Sequence, residues 1–210
     1  MQRPWTRAVC ALGGTEPVAQ EAAADLAGRY AEPHRRYHNT DHVQSVLRDS
    51  AHLAGELRLE PAERAVLTLA VCAHDVVYDA RPGDDERRSA DWARVWLTRA
   101  GVAEQHVGRV EGLVLATLSH SAPAADLVAH ALLDADLAIL GAGRPGYDGY
   151  RQAVRAEYSA VDDASWRAGR SRVLESLLER EPLFLTAAGR ERWETAAKAN
   201  LRWELDVSRS

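Results

Sequence analysis

Apolar residues recur at three- and four-residue intervals along almost the whole chain, and no stretch alternates as a half-buried strand does. Val18, Ala22, Leu26 and Tyr30 make the stripe of a helix predicted from Thr15 to about Glu32, with Pro33 ending it. Asn39 or Thr40 is a good N-cap for the next helix, which places His42 in its first turn, on the inward face with Val46, Leu53 and Leu57. Pro61 reads as the first residue of a third helix whose inward positions are Leu67, Ala70, Val71 and His74. After the turn Arg81-Pro82-Gly83-Asp84, Asp85 is expected to cap a fourth helix with Glu86 in its first turn and Gly101 at its end. A fifth is predicted from about Ala103 to Ser119, with His120 one step further along its face. A sixth begins near Ala125, carrying Leu132, Leu133, Asp136 and Leu140 and ending at Gly141 and Gly143. Tyr147, Tyr150, Val154 and Tyr158 mark a seventh, Trp166 to Leu178 an eighth, and Trp193 to Leu201 a last one after Pro182. The expectation is an all-α bundle of about nine helices. It is read as a single domain over 1–210, the final two helices packed on as an extension.

Composition narrows the partners. The 210 residues are 46% hydrophobic and 27% charged, enough apolar material to bury a core. A net charge of −5 argues against a nucleic-acid or anionic-membrane binder, though not against a small phosphorylated ligand. Cys10 and Cys72 make no disulfide framework, and Cys72 reads as a small core residue. No secretory leader or membrane span is apparent, so a cytoplasmic protein is expected; a homodimer is left open.

Three polar elements interrupt faces that should be buried: His42, the pair His74-Asp75, and Asp136. Each alone has an ordinary reading. His42 can be a hydrogen-bonded core histidine, His74-Asp75 a salt-bridged helix end, and Asp136 a cap or an arginine's partner. Together, two imidazoles and two carboxylates on inward faces make a mixed N/O shell for a divalent ion such as Mn, Fe, Co, Ni or Zn, with Mg also allowed.

The series Arg36-Tyr37-His38-Asn39 with His42, then His74-Asp75-Val76-Val77-Tyr78-Asp79, Glu86 with Ser89-Ala90, Ala116-Thr117 with His120, Asp134-Ala135-Asp136-Leu137, Arg155 with Glu157-Tyr158, and Asn200-Leu201 resembles the HD-domain superfamily of metal-dependent phosphohydrolases. It is most similar to a branch of predicted metal-dependent HD phosphohydrolases, and the likeness runs from about Tyr30 to Glu204. The resemblance implies His42, His74, Asp75 and Asp136 as ligands of one divalent metal, with Asp75 thereby in the catalytic centre. Asp134 competes for the last place but lies about 200° from Asp136 on a helical wheel, and is read as a supporting residue.

Glu86 and Asp79 are the candidate general bases, Glu86 having the equal alternative of a first-turn carboxylate favoured by the helix dipole. His38, Arg36, His120 and Arg155 are the substrate-binding candidates; His120 can alternatively hold a second metal, and Arg155 can pair with Glu157 or Glu204. The leading expectation is hydrolysis of a small phosphorylated metabolite, such as a nucleotide, by metal-activated water. The alternatives are an HD-type di-iron oxygenase, for which only His106, His120 and His130 could complete a second iron site, or a nucleotide- or metal-binding regulator without turnover.

Overall fold

Beyond its charged first turn, the helix that leads to His74 is apolar on nearly every side, so it has to be surrounded. In the computed structural model, which describes residues 1–209, this helix is α4 (Pro61–Ala73), and Ala65 to Leu67 and Leu69 to Ala73 are all buried. It is packed against α1 (Gln2–Ala11), α3 (Thr40–Glu56), α5 (Asp84–Arg99), α6 (Glu104–Ala116) and α7 (Leu127–Leu137). Around that set lie α2 (Glu16–Tyr30), α8 (Arg144–Glu157), α9 (Asp163–Leu178) and α10. The last is a run of Ala187–Gly189, a π-helical turn Arg190–Glu194, and Thr195–Arg209. The described residues thus form ten helices and no strand: the fold is all-α, with one helix more than the periodicity predicts. None of the helices among the described residues is long and apolar enough to cross a membrane.

The additional helix is α1. Pro4 sits in its first turn, where a missing N–H costs nothing. Trp5, Ala8 and Val9 are buried at helical spacing, and the Trp5 ring lies 5.2 Å from that of Trp92 on α5. Sequence reading passed over it because a single helical turn of apolar positions beside a terminus is a weak periodic signal.

Capping sets where the site-bearing helices begin. Asn39 Oδ1 accepts from the backbone N–H groups of Asp41 (2.9 Å) and His42 (3.4 Å), so Asn39 is the N-cap of α3. α5 starts two residues earlier than expected. Gly83, at φ +90°, occupies the N-cap position and donates its N–H to Glu86 Oε2 at 2.6 Å. Asp85 therefore does not cap α5; its Oδ2 accepts from the N–H groups of Asp79 and Arg81 and closes the loop before the helix. α6 stops at Ala116 rather than Ser119, and the chain turns so that His120 adopts φ +46° off the end of the helix.

The C-terminal helices are tied on by buried polar groups. Arg170 forks onto Glu204 at 2.8 and 3.0 Å, and Asn200 donates to the carbonyls of Leu140 and Ala142 at 2.8 Å. A Cβ on Gly141 would sit 2.6 Å from Trp193 Cβ, so the 3-10 turn Ala138–Gly141 and α10 meet only because that residue is glycine.

Truncating the core anchor of α1 tests whether this helix belongs to the main core. Trp5→Ala should lower unfolding free energy by about 3–5 kcal/mol, read from a denaturant midpoint at unchanged slope.

Candidate metal centre

His42 projects from the first turn of α3, His74 and Asp75 from the chain leaving α4, and Asp136 from the last turn of α7. Their polar atoms converge. His42 Nε2 and His74 Nε2 are 3.1 Å apart. Asp75 Oδ2 lies 3.4 Å from the first and 3.1 Å from the second; Asp136 Oδ1 lies 3.3 and 3.4 Å from the same two nitrogens. Separations of this size are the edges of a coordination polyhedron: bonds of about 2.0–2.2 Å from a common centre subtend about 3.0–3.5 Å between neighbouring ligands. Three of these residues, His42, His74 and Asp136, form a group that could hold a metal ion, and Asp75 Oδ2 lies beside them.

The protonation chemistry fits. His74 Nδ1 donates to the Val71 carbonyl at 2.8 Å, so in the neutral ring Nε2 is the free lone pair and it faces the cluster. Burial alone would lower the pKa values of both imidazoles, but the carboxylates of Asp75 and Asp136 outweigh it, and His42 is raised and His74 raised well above the ordinary value. Burial likewise pushes both carboxyls up, and the imidazoles beside them prevail, holding Asp75 and Asp136 well below the usual carboxylate range. The two carboxylates thus demand about two positive charges at one point, which is what a divalent cation supplies.

Much of the support comes from residues that sequence reading left unassigned. Arg35, buried, donates to the carbonyls of His38 (3.0 Å), Asp75 (2.7 Å) and Val76 (3.0 Å), fastening the segment before α3 to the segment after α4. Glu157, at the end of α8, accepts from the backbone N–H groups of Arg36, Tyr37 and His38 through Oε1, and from His38 Nδ1 (2.7 Å) and Tyr78 Oη (3.0 Å) through Oε2. Burial opposes its charge, yet these donors bring its pKa down from 4.5 to about 2. Nothing local marks either residue: Arg35 lies outside any helix, and Glu157 meets its partners across 120 residues of chain.

The remaining candidates separate into two groups. His38 stacks on Tyr78 with ring centres 4.2 Å apart, and its Nε2 makes no hydrogen bond among the described residues. His120 donates from Nε2 to Asp136 Oδ2 at 3.0 Å, so the two oxygens of Asp136 face different partners. Both histidines, together with Asp75, Asp136 and Glu86, line a cavity of ≈ 520 Å³ walled by tyrosines and Trp166.

Asp79 and Arg155 are not brought there. Asp79 is half exposed and pairs with Arg88 at 2.6 Å. Arg155 binds the carbonyls of Tyr158 and Val161 and the carboxylate of Asp163, a third partner in place of Glu157 or Glu204, and serves to hold the α8–α9 connection. Arg36 is exposed and lines a groove with Arg48 and Arg192 that also reaches His42 and Asp136. Asp134 points away: it accepts from Leu185 and Thr186 and anchors the segment entering α10. His106 lines a separate pocket, and His130 is buried beside Asp134 and Asp126 rather than at the cluster.

No family model, curated protein or solved structure matches the chain.

Addition of Mn, Co or Ni ions should raise the thermal midpoint of the protein, by the equivalent of about 2.7 kcal/mol at a free ion concentration 100-fold above Kd, and His74→Ala should remove the effect. Glu157 contributes stability in full above its unfolded pKa near 4.5 and loses it as pH falls through about 2. Glu157→Gln should therefore cost about 1–3 kcal/mol at neutral pH, and the difference from the parent should shrink as urea unfolding is repeated toward pH 3.

Proposed function

We propose that the chain is an HD-type metal-dependent phosphohydrolase acting on a small phosphorylated metabolite. The observation that carries the reading is the convergence of four polar atoms from His42, His74, Asp75 and Asp136 at the edge of a cavity large enough for such a ligand. The mixed imidazole–carboxylate shell suits Mn, Fe, Co, Ni or Zn. An ion held there would acidify a bound water and polarise a phosphoryl oxygen.

The protein's own groups supply proton handling. Ionised Glu157 accepts from His38 Nδ1 and so fixes which ring nitrogen is turned to the cavity. His38 Nε2 can then give a proton to a leaving oxygen or take one from an attacking water. Glu157 is a positioning residue, since it reaches the reaction only through His38. Glu86, with one oxygen fixed on the Gly83 N–H, lines the same cavity as Asp75 and Asp136 and is the alternative base. His120, bonded to Asp136, can steady a phosphate oxygen on that side. That the carboxylate of Asp136 is shared between the cluster and His120 is also what a second ion would use, the feature favouring a two-metal, oxygen-consuming alternative.

Metal analysis of the purified protein, followed by phosphate-release assays over phosphate esters with Mn, Co, Ni and Mg, tests the reading. About one equivalent of metal and release restored after chelation are expected. Asp75→Ala should abolish release. His38→Ala should lower kcat by about 10²–10⁴ while metal binding persists. Two tightly held irons with oxygen uptake would remove the proposal.

A further inference from the structure

The metal centre depends on one backbone conformation that residues with a side chain seldom adopt. α6 ends at Ala116, the His120 N–H closes back onto the Ala116 carbonyl at 2.9 Å, and His120 itself takes φ +46°. Such a left-handed position persists only where its surroundings fix it. The turn sets a direction. It brings His120 Nε2 to 3.0 Å from Asp136 Oδ2, while Asp136 Oδ1 lies 3.3 Å from His42 Nε2 and 3.4 Å from His74 Nε2. His120 thereby occupies one oxygen of a ligand and leaves the other to the cluster, as an outer partner does when it orients a metal-bound carboxylate.

What fixes the turn comes from 60 residues further along the chain. The Arg180 guanidinium, just past the end of α9, donates from Nη1 to the His120 carbonyl and from Nη2 to the Ser119 carbonyl, both at 3.0 Å. These carbonyls belong to the two rigid peptide units on either side of the His120 Cα, so a fork that grips both restrains its φ and ψ together.

The contact is made in preference to nearer partners. Arg180 lies between Glu179 and Glu181 and pairs with neither: Glu179 is exposed, and Glu181 binds Lys198 at 2.7 Å. Burial pulls the Arg180 pKa down and no carboxylate pulls it back. Its charge is spent on the two carbonyls, and bonds from an ionised donor are about twice as strong as neutral ones.

We infer that Arg180 is a positioning residue of the metal centre: it holds the turn that aims His120 at Asp136 Oδ2, and so leaves Asp136 Oδ1 to the metal-binding cluster. The inference rests on the metal-binding part of the reading above and is independent of phosphate hydrolysis.

The test is calorimetric titration of Mn ions into the chelated full chain, with Arg180→Met, His120→Ala and the double variant beside the parent. Each single substitution should raise Kd about 10- to 100-fold. Because Arg180 acts only through His120, the double variant should bind no more weakly than His120→Ala. Arg180→Lys keeps the charge and the stem but offers one nitrogen in place of a fork. It should also raise Kd, and it serves if the methionine variant does not fold. A purely structural role would lower the urea midpoint of the chelated protein and leave Kd alone. Parent-like Kd in the folded Arg180 variants, or additive losses in the double variant, would overturn the inference. So would an unchanged metal Kd with weaker binding of inorganic phosphate, which would make Arg180 an anion binder in the opening it lines with His38 and His120.

The same variants keep the two proposals apart. A non-additive cycle with no phosphate released from any ester upholds the role of Arg180 and removes the hydrolase. Phosphate release with parent-like Kd in the Arg180 variants does the reverse, and a parent that takes up no metal removes both.

Discussion

Two carboxylates and two imidazoles meet at the wall of a cavity, the imidazoles buried and the carboxylates part-exposed, and that meeting constrains everything built around it. Each ionised group would be expensive alone in an apolar bundle. Within 3.1–3.4 Å of one another they are tolerable, because the positive charge each carboxylate needs is provided at the same point. Helices α3, α4 and α7 must therefore keep their spacing closely, since an error of an ångström at one helix would leave a charge unpaired. The small and branched side chains that pack α4, Ala65 to Cys72, allow its neighbours to approach from several directions at once.

Helix packing fixes α3, α4 and α7, but all four ligands lie where helices begin or end. Irregular backbone there is secured by charge. The Arg35 guanidinium collects three carbonyls from both sides of the centre, and the Glu157 carboxylate collects three consecutive N–H groups. One cation and one anion thus replace the ladder of hydrogen bonds that a helix would have provided. Glu157 also fixes the imidazole of His38, so the group that secures the loop selects the nitrogen available for proton transfer.

The centre opens on more than one side. One groove brings Arg36, Arg48 and Arg192 together with His42 and Asp136, and another brings Arg172 and Arg180 together with His38, His120 and Asp136. The cavity that holds Glu86 is lined instead by tyrosines, Trp166 and the buried Arg170.

Periodicity and caps made the all-helical class legible, as well as most helix positions and the inward faces bearing His42, His74 and Asp136, because these depend on neighbours within a few residues. The angular offset between Asp134 and Asp136 also follows from helical geometry, and the fold uses it to send one carboxylate to the cluster and the other to Thr186. The first helix was hidden by its brevity. The fates of Asp79, Arg155 and Glu157 were decided only by tertiary structure. A charged side chain on a loop or helix end can reach several partners, and which one it meets depends on where distant segments are brought: Arg88 for Asp79, Asp163 for Arg155, and the 36–38 backbone for Glu157.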